Sequence, residues 1–229
     1  MTRFLEMSID ADQQSKYWSK VASKYDYVVD LQIGGKTRSL VRDRLAKEKR
    51  LGTLVEFGCG TGFYTAVLAE KADNVVATDI SPGMLAVARE RIRAENVKFK
   101  LEDCQQTSFP DGVFDTAFLS LVIHFTEPLK TLAEMRRVLK PGGTLIITNL
   151  DPGALNILNR IRCAARVIYN GLAHFRLKPP KGSADHLLTD EQLCGLLSKS
   201  GFEVLDQETI SDRSRSSNIP VDYIRAVKS

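Results

Sequence analysis

The feature that most constrains this chain is an alternation. Between Thr53 and Thr148, short apolar runs take turns with stretches of helical periodicity. Thr53-Leu54-Val55-Glu56-Phe57, Asn74-Val75-Val76-Ala77-Thr78, Val97-Lys98-Phe99-Lys100-Leu101, Phe114-Asp115-Thr116-Ala117-Phe118-Leu119 and Thr144-Leu145-Ile146-Ile147-Thr148 have the length and character of buried strands. Helical patterns fill the gaps. One runs through Tyr64 to Ala69. A second starts at a Ser81 cap with Pro82 in the first position and carries Met84, Leu85, Val87, Ala88 and Ile92. A third runs from Leu129 to Leu139 and stops at Pro141-Gly142-Gly143. Strands that alternate with helices argue for a parallel sheet covered on both faces.

The flanks complete the plan. Residues 10–30 read as a helix, with Tyr17, Trp18, Val21, Tyr25 and Val28 at helical spacing, broken at Ile33-Gly34-Gly35. Residues 36–49 read as a basic helix with Leu40, Val41 and Leu45 turned inward. After the fifth strand the rhythm stops for residues 152–184, which hold a helical stretch from about Ala154 to Leu172 and a Pro-rich Lys178-Pro179-Pro180-Lys181-Gly182. Thr189-Asp190-Glu191-Gln192 then opens a helix with a capping-box pattern, and Gly201 ends it. Phe202–Leu205 and Tyr223–Val227 are the last two strands. The expectation is a single α/β domain over residues 1–229, with a doubly wound, mostly parallel seven-stranded sheet. Its parts are N-terminal helices (1–50), a core (51–150), a helical insert after strand five (151–186) and a C-terminal helix with the final strands (187–229).

Composition removes several classes. No apolar run approaches the roughly 20 residues that span a bilayer. The opening Met1-Thr2-Arg3-Phe4-Leu5-Glu6 has no secretory h-region, so a cytoplasmic protein is expected. Cys59, Cys104, Cys163 and Cys194 are far apart, with no C-x-x-C pair, which suggests neither a zinc site nor a disulfide framework. A net charge of +4 is too mild to imply nucleic acid.

The chemistry concentrates at strand ends. The first strand runs into Gly58-Cys59-Gly60-Thr61-Gly62. Glycines there permit a tight turn and close approach of a ligand, and the next helix offers free N–H groups. A tight strand-to-helix connection alone would use the same residues. Asp79 ends the second strand and can accept from both hydroxyls of a ribose; it can equally be a helix N-terminal charge. Asp103-Cys104 follows the third strand. Glu56, Asp79 and Asp103 are then three strand-end acids, and in an open α/β sheet such ends face one crevice.

These segments resemble the class I S-adenosylmethionine-dependent methyltransferases. Val55-Glu56-Phe57-Gly58-Cys59-Gly60-Thr61-Gly62 is similar to their glycine motif, Thr78-Asp79-Ile80-Ser81-Pro82-Gly83-Met84-Leu85 to their second motif, and Glu102-Asp103-Cys104 to their third. Phe114-Asp115, Leu139-Lys140-Pro141-Gly142-Gly143-Thr144, His186-Leu187-Leu188-Thr189 and Ser200-Gly201-Phe202-Glu203-Val204 also match. The likeness covers roughly residues 12–150 and 185–229 and is greatest to the methyltransferase-11 group, similar to the ubiquinone/menaquinone enzymes. It implies a Rossmann-like fold, S-adenosylmethionine as cofactor and S-adenosylhomocysteine as product. It implies that Glu56, with Gly58, Cys59, Gly60 and Gly62, lies near the methionine part. Asp79 would bind ribose, Ile80 and Met84 would pack on adenine, and Asp103 and Cys104 would hold the adenine edge. Ser120 would lie near the methionine part, and Tyr17 or Tyr25 would reach the cofactor from an N-terminal aromatic lid.

The acceptor is less constrained. His124, just past strand four, is the candidate general base for an alcohol, phenol or acidic carbon; a buried histidine that fixes the loop is the competing reading. His174 and His186 are weaker candidates. Ser120-Leu121-Val122-Ile123 stands where nucleobase- and glutamine-amine methyltransferases often carry Asn/Asp-Pro-Pro-aromatic, which argues against a nucleobase amine. Residues 152–184 hold six basic residues, Arg160, Arg162, Arg166, Arg176, Lys178 and Lys181, and no acid. With the apolar residues between them, they suit a hydrophobic or anionic small molecule, or peripheral contact with a lipid surface. A cap with solvated arginines fits the same pattern, and solvation also accounts for Lys36, Arg38, Arg42 and Arg44. An RNA or protein methyltransferase, a non-catalytic cofactor binder and a nicotinamide-dependent oxidoreductase are the other readings.

Overall fold

The computed structural model describes residues 11–151, 187–212 and 219–229. The insert at 152–184, with His174 and Cys163, lies outside them, as does His186.

Strands β1 (Thr53–Phe57), β2 (Asn74–Asp79), β3 (Val97–Leu101), β4 (Phe114–Ser120) and β5 (Leu139–Leu150) pair in parallel. β6 (Phe202–Ile210) and β7 (Val221–Lys228) finish the sheet, in the order β3-β2-β1-β4-β5-β7-β6. β7 runs antiparallel to both of its neighbours. The order reverses between β1 and β4, so the carboxyl ends of β1, β2 and β4 border one crevice.

Side-chain alternation divides the core between the two faces. Leu54, Phe118, Ile146 and Tyr223 pack with Val41 and Leu45 of α3 (Gly35–Leu45) and Leu68 of α4 (Thr65–Lys71). Val55, Phe57, Leu119 and Ile224 pack with Leu132 and Met135 of α6 (Pro128–Val138) and Leu193 and Leu197 of α7 (Asp190–Lys199). The helix α5 (Pro82–Arg91) starts at the expected Ser81 cap, whose side chain accepts from Met84 N at 3.1 Å. α7 starts in the expected capping box, formed by Thr189 and Gln192.

The boundaries differ in four places. The helix expected over 10–30 is broken. α1 (Ala11–Val21) ends in a tight turn at Ala22–Lys24, and α2 (Tyr25–Val29) sets off from it. The bend lets α1 lie on α5 while α2 turns toward the glycine loop. At Gly83 a Cβ would stand 2.8 Å from Ser19 Cα, which is how closely α1 and α5 approach. The expected break at Ile33-Gly34-Gly35 is instead a wide helical turn, Asp30–Gly34, and α3 starts at Gly35 and ends at Leu45 rather than 49. Pro141-Gly142-Gly143 is a kinked part of β5, not a loop before it. The β4–β5 register slips between Phe114 and Thr116, and Gly142 takes φ 71. β6 and β7 are also longer than their apolar runs, because the outer half of β6 is exposed and polar.

The candidate cofactor cleft

Glycine torsions and backbone hydrogen bonds build the turn after β1. Gly58 and Gly60 have φ 63 and 54, a region open to glycine at little cost. At Gly58 a Cβ would lie 2.4 Å from Val122 Cγ2, so only a bare backbone fits. Cys59 N donates to Thr78 O at 2.8 Å, and Gly60 N donates to Asp79 Oδ2 at 2.8 Å. Asp79 Oδ1 accepts from Ser81 N at 2.9 Å. Asp79 therefore ties the glycine turn to the end of β2. Burial pushes its carboxyl up to about 6, against the lowering effect of those N–H groups. Glu56 is buried as well, and its Oε2 accepts from Thr65 Oγ1 at 2.6 Å. Burial raises it to about 7, with the Thr65 bond opposing and the Asp79 charge adding. Two buried acids side by side form a site that favours a cation.

Two adjoining cavities open above this turn. The larger encloses about 710 Å³ of space open to solvent. It is lined by Asp79, Ile80, Met84, Asp103 and Cys104, together with Trp18 and Gln14 from α1. The smaller, about 390 Å³, is lined by Glu56, Cys59, Ser120, Tyr64 and Arg38. Tyr25, Gly58, Gly60 and Leu121 line both. Burial raises the Tyr25 phenol to about 12, so it stays protonated at neutral pH. Burial likewise raises the Cys59 and Cys104 thiols, which leaves both unreactive. Leu121 has φ 57 and is the one non-glycine residue with positive φ among the described residues.

The helices α1 to α3 roof the cleft. The Trp18 ring packs edge-on against Tyr25 at 5.9 Å and Phe125 at 4.9 Å. Asp26 accepts from Arg38 at 2.8 Å and from Thr61 Oγ1 at 2.9 Å, and it also pairs with Arg91. Arg38 also reaches Asp30 at 2.9 Å, and its guanidinium sits 3.8 Å over the Phe63 ring. Burial alone would raise Asp26, but the Arg91 and Arg38 bonds outweigh it and hold the carboxyl below its usual value.

Three candidate residues stand apart from this arrangement. Gly62 turns toward α5, where a Cβ would meet Ile92 Cγ1 at 3.2 Å and Ala88 Cβ at 3.3 Å, and it lines neither cavity. Tyr17 is half-buried against Trp18 and Met84, while Trp18 is the ring that lines the cavity. His124 lies on the short turn Ile123–Phe125, 5% exposed, and is not among the cavity-lining residues. Its Nδ1 has no hydrogen-bond partner among the described residues, and burial lowers its pKa to about 4. A general base works best with a pKa near the working pH, so this burial favours the competing reading of His124 as a packed ring that fixes the loop. Residues that sequence reasoning missed are Gln14, Arg38, Tyr64 and Leu121. Arg38 looked like a solvated helix charge but is 3% exposed.

A seven-stranded sheet in this order, with one antiparallel strand and a glycine turn at the switch point, defines the class I S-adenosylmethionine-dependent methyltransferase fold. The sequence profile described as "Methyltransferase domain" matches residues 55–147. The demethylmenaquinone methyltransferase of Thermus thermophilus is 30% identical over 204 residues, which cover 82% of this chain and 91% of that one. The chain belongs to this family of S-adenosylmethionine-dependent methyltransferases. The malonyl-[acyl-carrier protein] O-methyltransferase of Serratia marcescens is 34% identical over 144 residues, covering 62% of this chain. The chain spans about half of that relative's length, 54%. The N-methyltransferase NodS of Bradyrhizobium japonicum, solved with S-adenosyl-L-homocysteine, superposes with a TM-score of 0.69 at 16% identity, covering 95% of this chain and 99% of that one. Among the described residues no helix is long and apolar enough to cross a membrane.

Proposed function

We propose that this chain transfers the methyl group of S-adenosylmethionine to a small hydrophobic or anionic acceptor. The observation that carries the reading is the pair of adjoining cavities over the glycine turn, each with a buried acid of raised pKa: Asp79 for one and Glu56 for the other. When bound, the cofactor supplies an electrophilic methyl on a sulfonium, so the protein's task is to position and to exclude water. Asp79, Ile80, Met84, Asp103 and Cys104 line the larger cavity, which fits an adenosyl group. The smaller one is lined by Glu56, whose carboxyl an amino group would ionise and pair with, and by Arg38, which Asp26 and Asp30 hold in place. Gly58 and Gly60 keep the floor bare. Ser120, hydrogen-bonded to Thr148 at 2.7 Å, borders the smaller cavity, and Tyr25 and Leu121 stand between the two.

The acceptor class rests on two supports. One is the sequence of 152–184, apolar with six basic residues and no acid. The other is that relatives are named for demethylmenaquinone, a quinone, and for malonyl-[acyl-carrier protein], an acidic acyl group. The test is a screen of metabolite fractions for S-adenosylhomocysteine formation, run beside transfer of radiolabelled methyl to a cell extract. Turnover with an apolar or acidic small molecule is expected. Label confined to RNA, or to protein in a form that hydroxylamine cleavage of acyl thioesters does not release, would overturn the small-molecule acceptor.

A further inference from the structure

Gln14 is a polar side chain on the buried face of α1, 5% exposed. Its Oε1 accepts from Trp18 Nε1 at 2.9 Å. An indole N–H can only donate, so this bond settles which end of the amide is oxygen. The NH2 group therefore faces away from Trp18. Among the described residues its Nε2 has no hydrogen-bond partner, and Gln14 lines the larger cavity with Asp79, Ile80 and Met84. Folded proteins rarely leave a buried donor unmet, because nothing replaces the water it gave up.

Gln14 is not what holds α1 in place. Ser19 does so on one side: its Oγ lies 2.9 Å from Ser81 Oγ and accepts from Gly83 N at 3.3 Å. On the other side Trp18 packs on Tyr25 and Phe125. Both anchors sit in the last turn of α1, and the amide is displayed one turn before them. Asp79 does not take the spare donor: its oxygens accept from the backbone at Gly60 and Ser81, and Gln14 Nε2 is not among its partners. An uncharged NH2 suits a neutral acceptor atom, such as a hydroxyl oxygen or a ring nitrogen.

We propose that Gln14 is a cofactor-binding residue whose Nε2 donates to a hydroxyl oxygen or ring nitrogen of the adenosyl group in the larger cavity. This rests on the cofactor reading above. Cofactor binding then supplies the partner that Gln14 lacks.

Calorimetric titration of the full chain tests this with S-adenosylhomocysteine and with 5′-methylthioadenosine, which keeps the adenosyl group but lacks the amino acid. Gln14→Glu, titrated at pH 9 so that its carboxyl is ionised, and Gln14→Met both lack the donor, and Gln14→Glu keeps an acceptor for Trp18. Both variants are expected to bind both ligands about tenfold more weakly, the scale of one lost hydrogen bond. Their melting temperatures without ligand should stay within a few degrees of wild type. Wild-type affinity in both variants would overturn the proposal. So would normal binding by Gln14→Glu with loss only in Gln14→Met, because Gln14 would then act only through Trp18. A loss for S-adenosylhomocysteine alone would move the contact to the amino-acid end and overturn the adenosyl assignment. Failure of wild type to bind S-adenosylhomocysteine would instead sink the cofactor reading itself.

Discussion

The glycine turn at 58–62 and the helices that cover it, α1 to α3, meet at one hydrogen bond, Thr61 Oγ1 to Asp26 Oδ1. On the turn side, order comes from the backbone. Cys59 N, Gly60 N and Gly62 N all donate within the β1–β2 end, and positive φ values set the path. On the helix side, order comes from charged side chains distant in sequence: Arg38, Arg91 and Asp26. The first kind of order is insensitive to salt, and pH reaches it only through the buried carboxyls of Asp79 and Glu56. The second depends on both, because partly exposed ion pairs are screened. One wall of the cleft is fixed, and the other is adjustable.

Gly58→Ala strikes the fixed wall and should have the largest effect. It combines a left-handed backbone with a 2.4 Å clash on Val122, together about 3 kcal/mol of stability. Chemical denaturation measures this, and cofactor binding should be lost with it. A variant as stable as wild type would show that the turn is looser than its geometry.

Next in size is a pH effect, also in the fixed wall. Glu56 and Asp79 rise from 4.5 and 3.8 to about 7 and about 6. Folded values above the unfolded ones mean that protonation favours the fold. That stability is complete below about pH 4 and is lost as pH rises through 6 to 7. Removing the charge with Glu56→Gln should help the ligand-free protein by about 2 kcal/mol more at pH 8 than at pH 5. Melting curves of the two proteins that run parallel across that range would contradict it.

Asp26→Ala tests the adjustable wall. Arg38 keeps Asp30, and Asp26 is partly exposed, so the cost should be about 1–2 kcal/mol. Proteolysis within α1–α3 should speed up while cleavage in the sheet does not. Equal protection of both regions would mean that the helices do not depend on Asp26. The smallest effect is expected for His124→Gln. A ring already neutral above about pH 4 has no titration to lose near neutrality, so the pH–rate profile should keep its shape. A vanished limb near neutral pH would restore His124 as the base.

The same contrast explains what could be read from the residues alone. β1 to β5, the turn and the Ser81 cap obey local rules of periodicity, glycine and capping, and were legible. Asp79 was legible by its position at a strand end. The roof was not. Tyr17 and Trp18 are neighbours about 100° apart on a helix, and which of them faces the cleft depends on how α1 docks on α5. Arg38 looked solvated because its partners Asp26 and Asp30 sit across a turn and Phe63 lies beyond β1. His124 reads alike as base or as packing until its burial is known. The kink at Pro141-Gly142-Gly143 looked like a stop because sequence does not show a strand resuming its partner after a slipped register.

The backbone at Leu121 carries a consequence for anyone who would engineer this enzyme. A leucine held at φ 57 is under conformational load that glycine would shed and asparagine would lessen. A search for heat-resistant variants would therefore favour position 121. Yet Leu121 borders both cavities, so either change would thin the divider between them. Gains in durability at that position would trade against control over where the reacting methyl can go.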